Sequence, residues 1–336
     1  MLRLAVPLLI VLIAAGFPNV HLPGVPGPTS AAEQAAASQM SPFLQEEAPI
    51  TLSADAAYPT VDTLPGGPFH GAYSDGMQRH LENLMRASTN GMIDLAPGDY
   101  VYRIRQFCMA HSLPARAPLT FVLTPIRGKR APAIIAMNSR AAGTDISWSD
   151  LQATSWAIQS GAAYGDFSST EQAVVNRFIP EYKDLLQTST LQDIQNKWNS
   201  LSIPGLPSLN DAVGGMGSVG QTILDLQAEQ QAIIASGSSF TSLTAAFIGN
   251  VNQQPQPATL PPTPWSIVAP HVYMRLITNG HYGDLGDFQI RVVGTSDPSF
   301  GLGGTGARPK CWDENAQTWT LHGTCTQPMS GYGSGR

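Results

Sequence analysis

The pattern of apolar and polar positions changes in character along the 336-residue chain. An uncharged apolar run from Leu4 to Gly16 comes first, and a stretch rich in Ala, Pro, Ser and Thr follows it up to about residue 70. Residues 71–249 carry mostly the three- and four-residue spacing of amphipathic helices. After residue 264 the period of two that is typical of strands prevails. This order predicts an α+β fold in which a mainly helical part precedes a smaller β part.

The helices of the 71–249 region have clear start signals. Ser74 is suited to cap a helix that ends near Ser88, and Ser168 with Glu171 forms a capping box before the most regular apolar pattern. Pro180 falls inside that pattern, where it is expected to bend the helix. The other predicted helices cover residues 129–140, 147–158, 190–201, 219–235 and 240–248, and two short strands are predicted at 100–105 and 119–126.

Composition divides the chain into successive segments. Residues 250–264 are rich in Gln and Pro, which favours an extended polyproline-like spacer between two separately folded modules. The predicted segments are an export signal at 1–32 with its cleavage site between 16 and 37, an extended arm at 33–70, a mainly helical α+β domain at 71–249, the Pro/Gln-rich linker at 250–264, a small β module at 265–330 and a disordered tail at 331–336.

The first residues have the layout of a bacterial-type secretory signal. A single positive charge, Arg3, precedes the apolar run, which is too short to span a bilayer because a transmembrane helix needs about 20 apolar residues. Small residues ending at Ala32 and at Ala37 suit a signal peptidase, and a cut after Gly16 is an alternative. We therefore expect an exported protein, periplasmic or extracellular, with no transmembrane span in the mature chain.

Charge narrows the classes of partner. Charged residues make up 12% of the chain, against about 25% in ordinary globular proteins, so the surface must depend on uncharged polar groups. The formal net charge is −6, and no run of Lys or Arg supplies the basic face that phosphate neutralisation requires. These features exclude nucleic acid as the expected partner and leave an unknown protein or a component of the cell envelope.

Three cysteines, Cys108, Cys311 and Cys325, would meet an oxidising environment after export. Cys311 and Cys325 flank a short segment with turn-forming residues, which predicts a disulfide-stapled hairpin that loop closure stabilises by about 3 kcal/mol. Cys108 is then the odd cysteine of the chain. It lies three residues before His111, and a nearby imidazole can lower the pKa of a thiol that acts as a nucleophile.

Other chemical motifs are weak. Residues 215–220 match G-x-G-x-x-G, but no predicted strand leads into them, and export removes the protein from nicotinamide pools. A zinc site would need His271 or His281 in addition to Cys108 and His111, and neither has a second histidine at helical spacing. We therefore expect no cofactor and no metal.

The sequence favours a non-enzymatic function, namely a binding protein or an accessory of an envelope assembly. The alternative is a secreted cysteine-dependent hydrolase of peptide or peptidoglycan bonds that uses Cys108 and His111. A third hypothesis is carbohydrate binding by Trp265, Trp312 and Trp319, which would require these rings to be exposed for stacking on a sugar. Burial in a small β core is the favoured interpretation of the three tryptophans.

Overall fold

The structure is a computed structural model that describes residues 3–4, 11–14, 30–51, 56–88, 93–107, 121–237, 240, 242, 262–278, 285–294, 310–313 and 318–321. Its helices are α1 Ala31–Glu47, α2 Asp75–Ala87, α3 Ala131–Ala141, α4 Trp148–Gln159, α5 Ser169–Phe178, α6 Thr190–Asn199, α7 Leu209–Ala212 and α8 Ser218–Ser236. Its strands are β1 Arg3–Leu4, β2 Val11–Ala14, β3 Thr60–Val61, β4 Ile93–Asp94, β5 Gly98–Arg105, β6 Phe121–Thr124, β7 Trp265–Ala269, β8 Val272–Ile277, β9 Leu285–Val292, β10 Lys310–Asp313 and β11 Thr318–Leu321. The fold is thus α+β, as the sequence predicts.

An antiparallel sheet joins segments from both ends of the chain. Its five strands lie in the order β3-β7-β8-β9-β5, so β5 forms one edge. β5 pairs with β9 over its whole length, from Gly98 opposite Val292 to Arg105 opposite Leu285. The predicted division into a 71–249 domain and a separate 265–330 module is therefore wrong. β5 needs a partner for its main-chain groups, and that partner lies beyond the linker, where no local sequence pattern indicates it.

The two faces of the sheet are covered differently. On one face, buried side chains of β5, β8 and β9 pack against α2, including Tyr100, Tyr102, Met274, Phe288 and Ile290 from the strands and Met77, Leu81 and Met85 from the helix. The opposite face carries a smaller apolar cluster that includes Trp265, Tyr273, Val293 and Phe69. Alternate residues of these strands point to opposite faces of the sheet, and each face therefore packs against apolar side chains.

The helical part forms two further apolar clusters, one built mainly from α3, α4 and α5 and one from α1, α6, α7 and α8. The predicted N-caps Ser74 and Ser168 are confirmed, since each side-chain oxygen accepts a main-chain N–H three residues ahead, and Ser147 caps α4 in the same way. α6 begins at Thr190, as predicted, with Ser189 as its cap. Instead of bending a longer helix, Pro180 starts a separate 3-10 turn after α5 ends.

The extended arm predicted at 33–70 is wrong over its first part, because α1 occupies it. Ser30 caps α1 in a capping box with Glu33, and one stripe of the helix is buried. That stripe consists of Ala36, Met40 and Leu44 and packs in the cluster with α6, α7 and α8. The segment contains few large apolar residues, so its sequence does not predict a helix. The buried face of α1 nevertheless needs only one apolar residue per turn.

Short strands lie near both ends of the chain. β1 pairs with β4, and β2 pairs with β6, so backbone from the predicted export signal forms antiparallel pairs with the rest of the chain. β10 and β11 form the predicted hairpin, with Cys311 opposite Thr320. Cys325 lies outside the described residues, so the disulfide stays a prediction. Within the described part of the chain, every helix is too short or too polar to cross a bilayer.

Candidate functional site

A cleft of about 610 Å³ lies along the edge of the sheet that β5 forms. Its walls come from α2, from β5 and Phe107, from the segment that connects α3 to α4, and from Leu285 at the start of β9. The volume falls within the range of about 300–1,000 Å³ that is typical of ligand sites. Apolar side chains such as Ile146 and Trp148 share the lining with Glu82 and two arginines, Arg103 and Arg105.

The edge of β5 is closed at one point by a side chain. The Gln78 carboxamide accepts a hydrogen bond from the Arg103 main-chain N–H and donates one to the Arg103 carbonyl, both at 2.9 Å. Gln78 therefore occupies the place that a peptide group of a neighbouring strand would take. The same carboxamide donates to Glu82 at 2.8 Å, which fixes its orientation.

Two residues further along β5 the edge is open. Main-chain groups of alternate residues on an antiparallel edge point the same way, so the N–H and C=O of Arg105 point outward like those of Arg103. From the cleft side, no described residue bonds to these two groups. The Arg105 side chain is exposed, as is Leu285, its register partner on β9, with 54% of its surface accessible.

The opposite wall lies against the side chains of α2. Gly143, in the segment between α3 and α4, has a φ of +65° and lies next to the ends of the Glu82 and Arg86 side chains. Arg86 donates a hydrogen bond to the Ala142 carbonyl at 2.9 Å. The positive φ favours glycine at this position, and the Arg86 hydrogen bond holds the α3–α4 segment against α2.

Trp148 joins the end of β5 to the start of α4. Its indole Nε1 donates a hydrogen bond to the Gln106 carbonyl at 3.1 Å, and its ring contacts Phe107 with the centroids 6.1 Å apart. Phe240 packs edge-on against Trp148 and stacks on Trp156. These contacts place Trp148 and Trp156 on one face of α4, and they hold this wall of the cleft in place.

Charges within the cleft are only partly compensated. Arg103 pairs with Asp287 across the β5–β9 ladder at 2.9 Å, and its guanidinium lies 3.9 Å from the centre of the Tyr73 ring. Burial, with the negative charge of Glu82 nearby, raises the pKa of the Tyr102 hydroxyl well above its usual range, so this group stays protonated. Arg105, whose side chain is exposed, makes no ion pair within the described residues.

The structure brings few of the predicted site residues into view. Cys108 and His111 lie outside the described residues, although the described chain runs up to Phe107 on the cleft wall. Among the described residues no cluster of three or more His, Cys, Asp or Glu is arranged to hold a metal. His271 lies in the turn between β7 and β8, and His281 is outside the described residues.

Trp265 is not available for stacking on a ligand. The residue is only 8% exposed, with Phe69 at 5.3 Å between ring centres and the Arg275 guanidinium at 4.6 Å from the Trp265 ring centroid. Trp312 and Trp319 face each other in the register of β10 and β11, where only the backbone is described. The carbohydrate hypothesis therefore loses one of its three aromatic residues.

Sequence reasoning missed Gln78 and Arg105. Gln78 lies on the polar side of an amphipathic helix and Arg105 at the polar end of a strand, where both residue types are usual on a solvated surface. Their significance depends on β5 being an edge strand beside α2, which is a property of the assembled sheet. Comparison of the chain with models of protein families, with curated proteins and with solved structures finds no match.

Proposed function

We propose that this protein is an exported, non-enzymatic binding protein that holds a partner in the cleft along β5. The observation that carries this proposal is the combination, in one cleft of about 610 Å³, of apolar walls, an arginine that makes no ion pair among the described residues, and a strand edge to which no described residue bonds at Arg105. Convergent polar groups in a mostly preformed concave site are typical of ligand recognition. The partner is a protein or a component of the cell envelope.

Export would explain the apolar run near the start of the chain, and α1 restricts where the signal can be cut. The capping box of Ser30 and Glu33 and the buried Ala36 belong to this helix. A peptidase cut after Ala32 or Ala37 would remove that cap or part of the buried stripe. Cleavage nearer Gly16 leaves α1 whole and is the site that we favour.

Site-specific photo-cross-linking in the exporting cell tests the binding function. A benzophenone amino acid replaces Leu285 on the cleft rim or, as a matched control, Ile234 on α8, which does not line the cleft. The two positions are 54% and 53% exposed. We expect a discrete adduct from position 285 and none from position 234. Equal labelling at both positions, or none at either, would contradict the proposal.

The second candidate function is the cysteine-dependent hydrolase. It is supported by the position of Phe107, on the wall of the cleft and one residue before Cys108. This function requires a thiol that iodoacetamide modifies below neutral pH in the native protein, because a reactive cysteine has a lowered pKa. If Cys108 is alkylated only after unfolding, the hydrolase is excluded. If it is alkylated rapidly, Cys108→Ala should abolish turnover of peptide or peptidoglycan fragments.

A further inference from the structure

We infer that the ligand of the cleft is an extended peptide that adds a strand to the open edge of β5, with an acidic side chain placed against Arg105. This inference rests on the proposed binding function and specifies the chemical class of the ligand. The evidence comes from the main-chain groups of the edge, the side chain that already imitates a peptide at that edge, and the charge beside it.

The edge presents the hydrogen-bonding pattern of a strand. Arg105 offers one outward N–H and one outward C=O, which is the pair that an added antiparallel strand bonds to. Nothing described on the cleft side satisfies this pair, and main-chain groups left unpaired favour addition of another strand. A simple anion would satisfy only the N–H, whereas a peptide backbone carries an N–H and a C=O at the spacing of the edge.

Gln78 shows that the edge accepts a peptide-like group. Its carboxamide makes the two hydrogen bonds to Arg103 that a backbone amide would make, at 2.9 Å each. It also closes the edge there, so an added strand would begin next to Gln78 and continue past Arg105. The added segment is therefore short, which suits a loop or terminus of a partner rather than a complete sheet.

The side chains of the cleft indicate the sequence that would bind. The residue opposite Arg105 would share a face of the sheet with Arg105 and Leu285, and a carboxylate there would compensate the arginine. Its two neighbours would point to the other face, towards Ile104, Met85 and Ile146 of the lining. The expected ligand thus has an acidic residue between two apolar residues.

The experiment starts from a display library of random linear decapeptides, selected on the full chain. The selected peptide is then measured against two variants by calorimetry. Arg105→Gln keeps the outward N–H and removes the charge, whereas Arg105→Pro removes both. Proline is tolerated at an edge position whose N–H faces away from the ladder, and circular dichroism with thermal unfolding checks that both variants keep the fold.

We expect Arg105→Gln to weaken binding about two- to fivefold, as is usual for an exposed charge, and Arg105→Pro to weaken it about tenfold further through the lost hydrogen bond. Methylation of each peptide N–H in turn should abolish binding at alternate positions, because alternate residues pair with the edge. If Arg105→Pro binds as well as Arg105→Gln and methylation shows no alternation, strand addition is overturned.

The outcomes separate this inference from the proposed function. Leu285→Asp places a carboxylate beside Arg105 on an exposed position and should compete with the acidic residue of the peptide. Peptides that lose affinity for Leu285→Asp but ignore Arg105→Pro would support the cleft as the site and overturn strand addition. A library that yields no binder also overturns strand addition, while cross-linking at position 285 still decides whether the cleft binds a partner.

Discussion

Replacing Arg291 by Met removes a guanidinium that joins three distant parts of the chain. Arg291 donates two hydrogen bonds to the Asp99 carboxylate, from Nε and from Nη2, each at 2.6 Å. The same guanidinium donates to the carbonyls of Pro65, Gly67 and Pro68 at 3.0, 2.6 and 2.7 Å. It therefore holds β9 to β5 and secures the segment before α2 over the sheet.

The expected loss of stability follows from burial. The Arg291 and Asp99 side chains are only 7% and 10% exposed, and removing one partner of a buried ion pair costs about 3–5 kcal/mol. Asp99 keeps its hydrogen bond from the His70 main-chain N–H at 2.7 Å, which moderates the loss. Gly67 and Pro68 are exposed, so their carbonyls can bond to water. We therefore expect Arg291→Met to lower the free energy of unfolding by about 3 kcal/mol.

Urea unfolding followed by tryptophan fluorescence measures this loss. Asp287→Asn is the matched control, because Asp287 pairs with Arg103 between the same two strands but both side chains are more than a third exposed. It should lose about 1 kcal/mol or less. Combining Arg291→Met with Asp99→Asn should cost clearly less than the sum of the single variants. If Arg291→Met lowers the free energy of unfolding by no more than Asp287→Asn does, then the buried ion pair of Arg291 and Asp99 does not stabilise the fold as we expect.

Three further predictions concern other parts of the chain. Gln78→Ala removes both hydrogen bonds to Arg103 and should lower the free energy of unfolding by about 1–2 kcal/mol in urea titrations, with an unchanged value contradicting the closed edge. Burial, with Asp225 nearby, raises the pKa of Glu229 to about 7, so its contribution to stability is present below its unfolded pKa and is lost as the pH rises through 7. Glu229→Gln should therefore flatten the decline in thermal stability between pH 5 and 8, and a decline equal to that of the wild type would refute this. N-terminal sequencing of the exported protein should find a first residue between positions 17 and 30, whereas retention of Met1 would contradict cleavage.

Local signals in the sequence explain why most helix starts could be predicted. A serine cap acts through its own side chain on an N–H three residues ahead, so Ser74, Ser147 and Ser168 can be recognised without knowledge of the fold. The same kind of signal was available for α1, because Ser30 and Glu33 form a capping box. The Ala-rich composition and Pro42 within the helix concealed it, since both reduce the apolar periodicity on which the prediction depended.

Long-range strand pairing explains why the sheet and its cleft could not be predicted from the sequence. Asp99 and Arg291 are separated by 192 positions, and their ion pair exists only because β5 and β9 lie side by side. The Pro-rich segment before β7 predicts a boundary from composition, whereas the sheet forms across it. The candidate cleft could not be predicted for the same reason, because its edge exists only where β5 becomes the outer strand of the described sheet.

Hydrogen exchange at the Arg105 amide tests the central claim most directly. The exchange rate is measured by NMR in the free protein and with the selected peptide bound. If the peptide pairs with β5, exchange at Arg105 should slow at least tenfold, and exchange at Ile234 on α8 should not change. Unchanged exchange at Arg105 in a saturated complex would show that the ligand binds elsewhere or without strand addition.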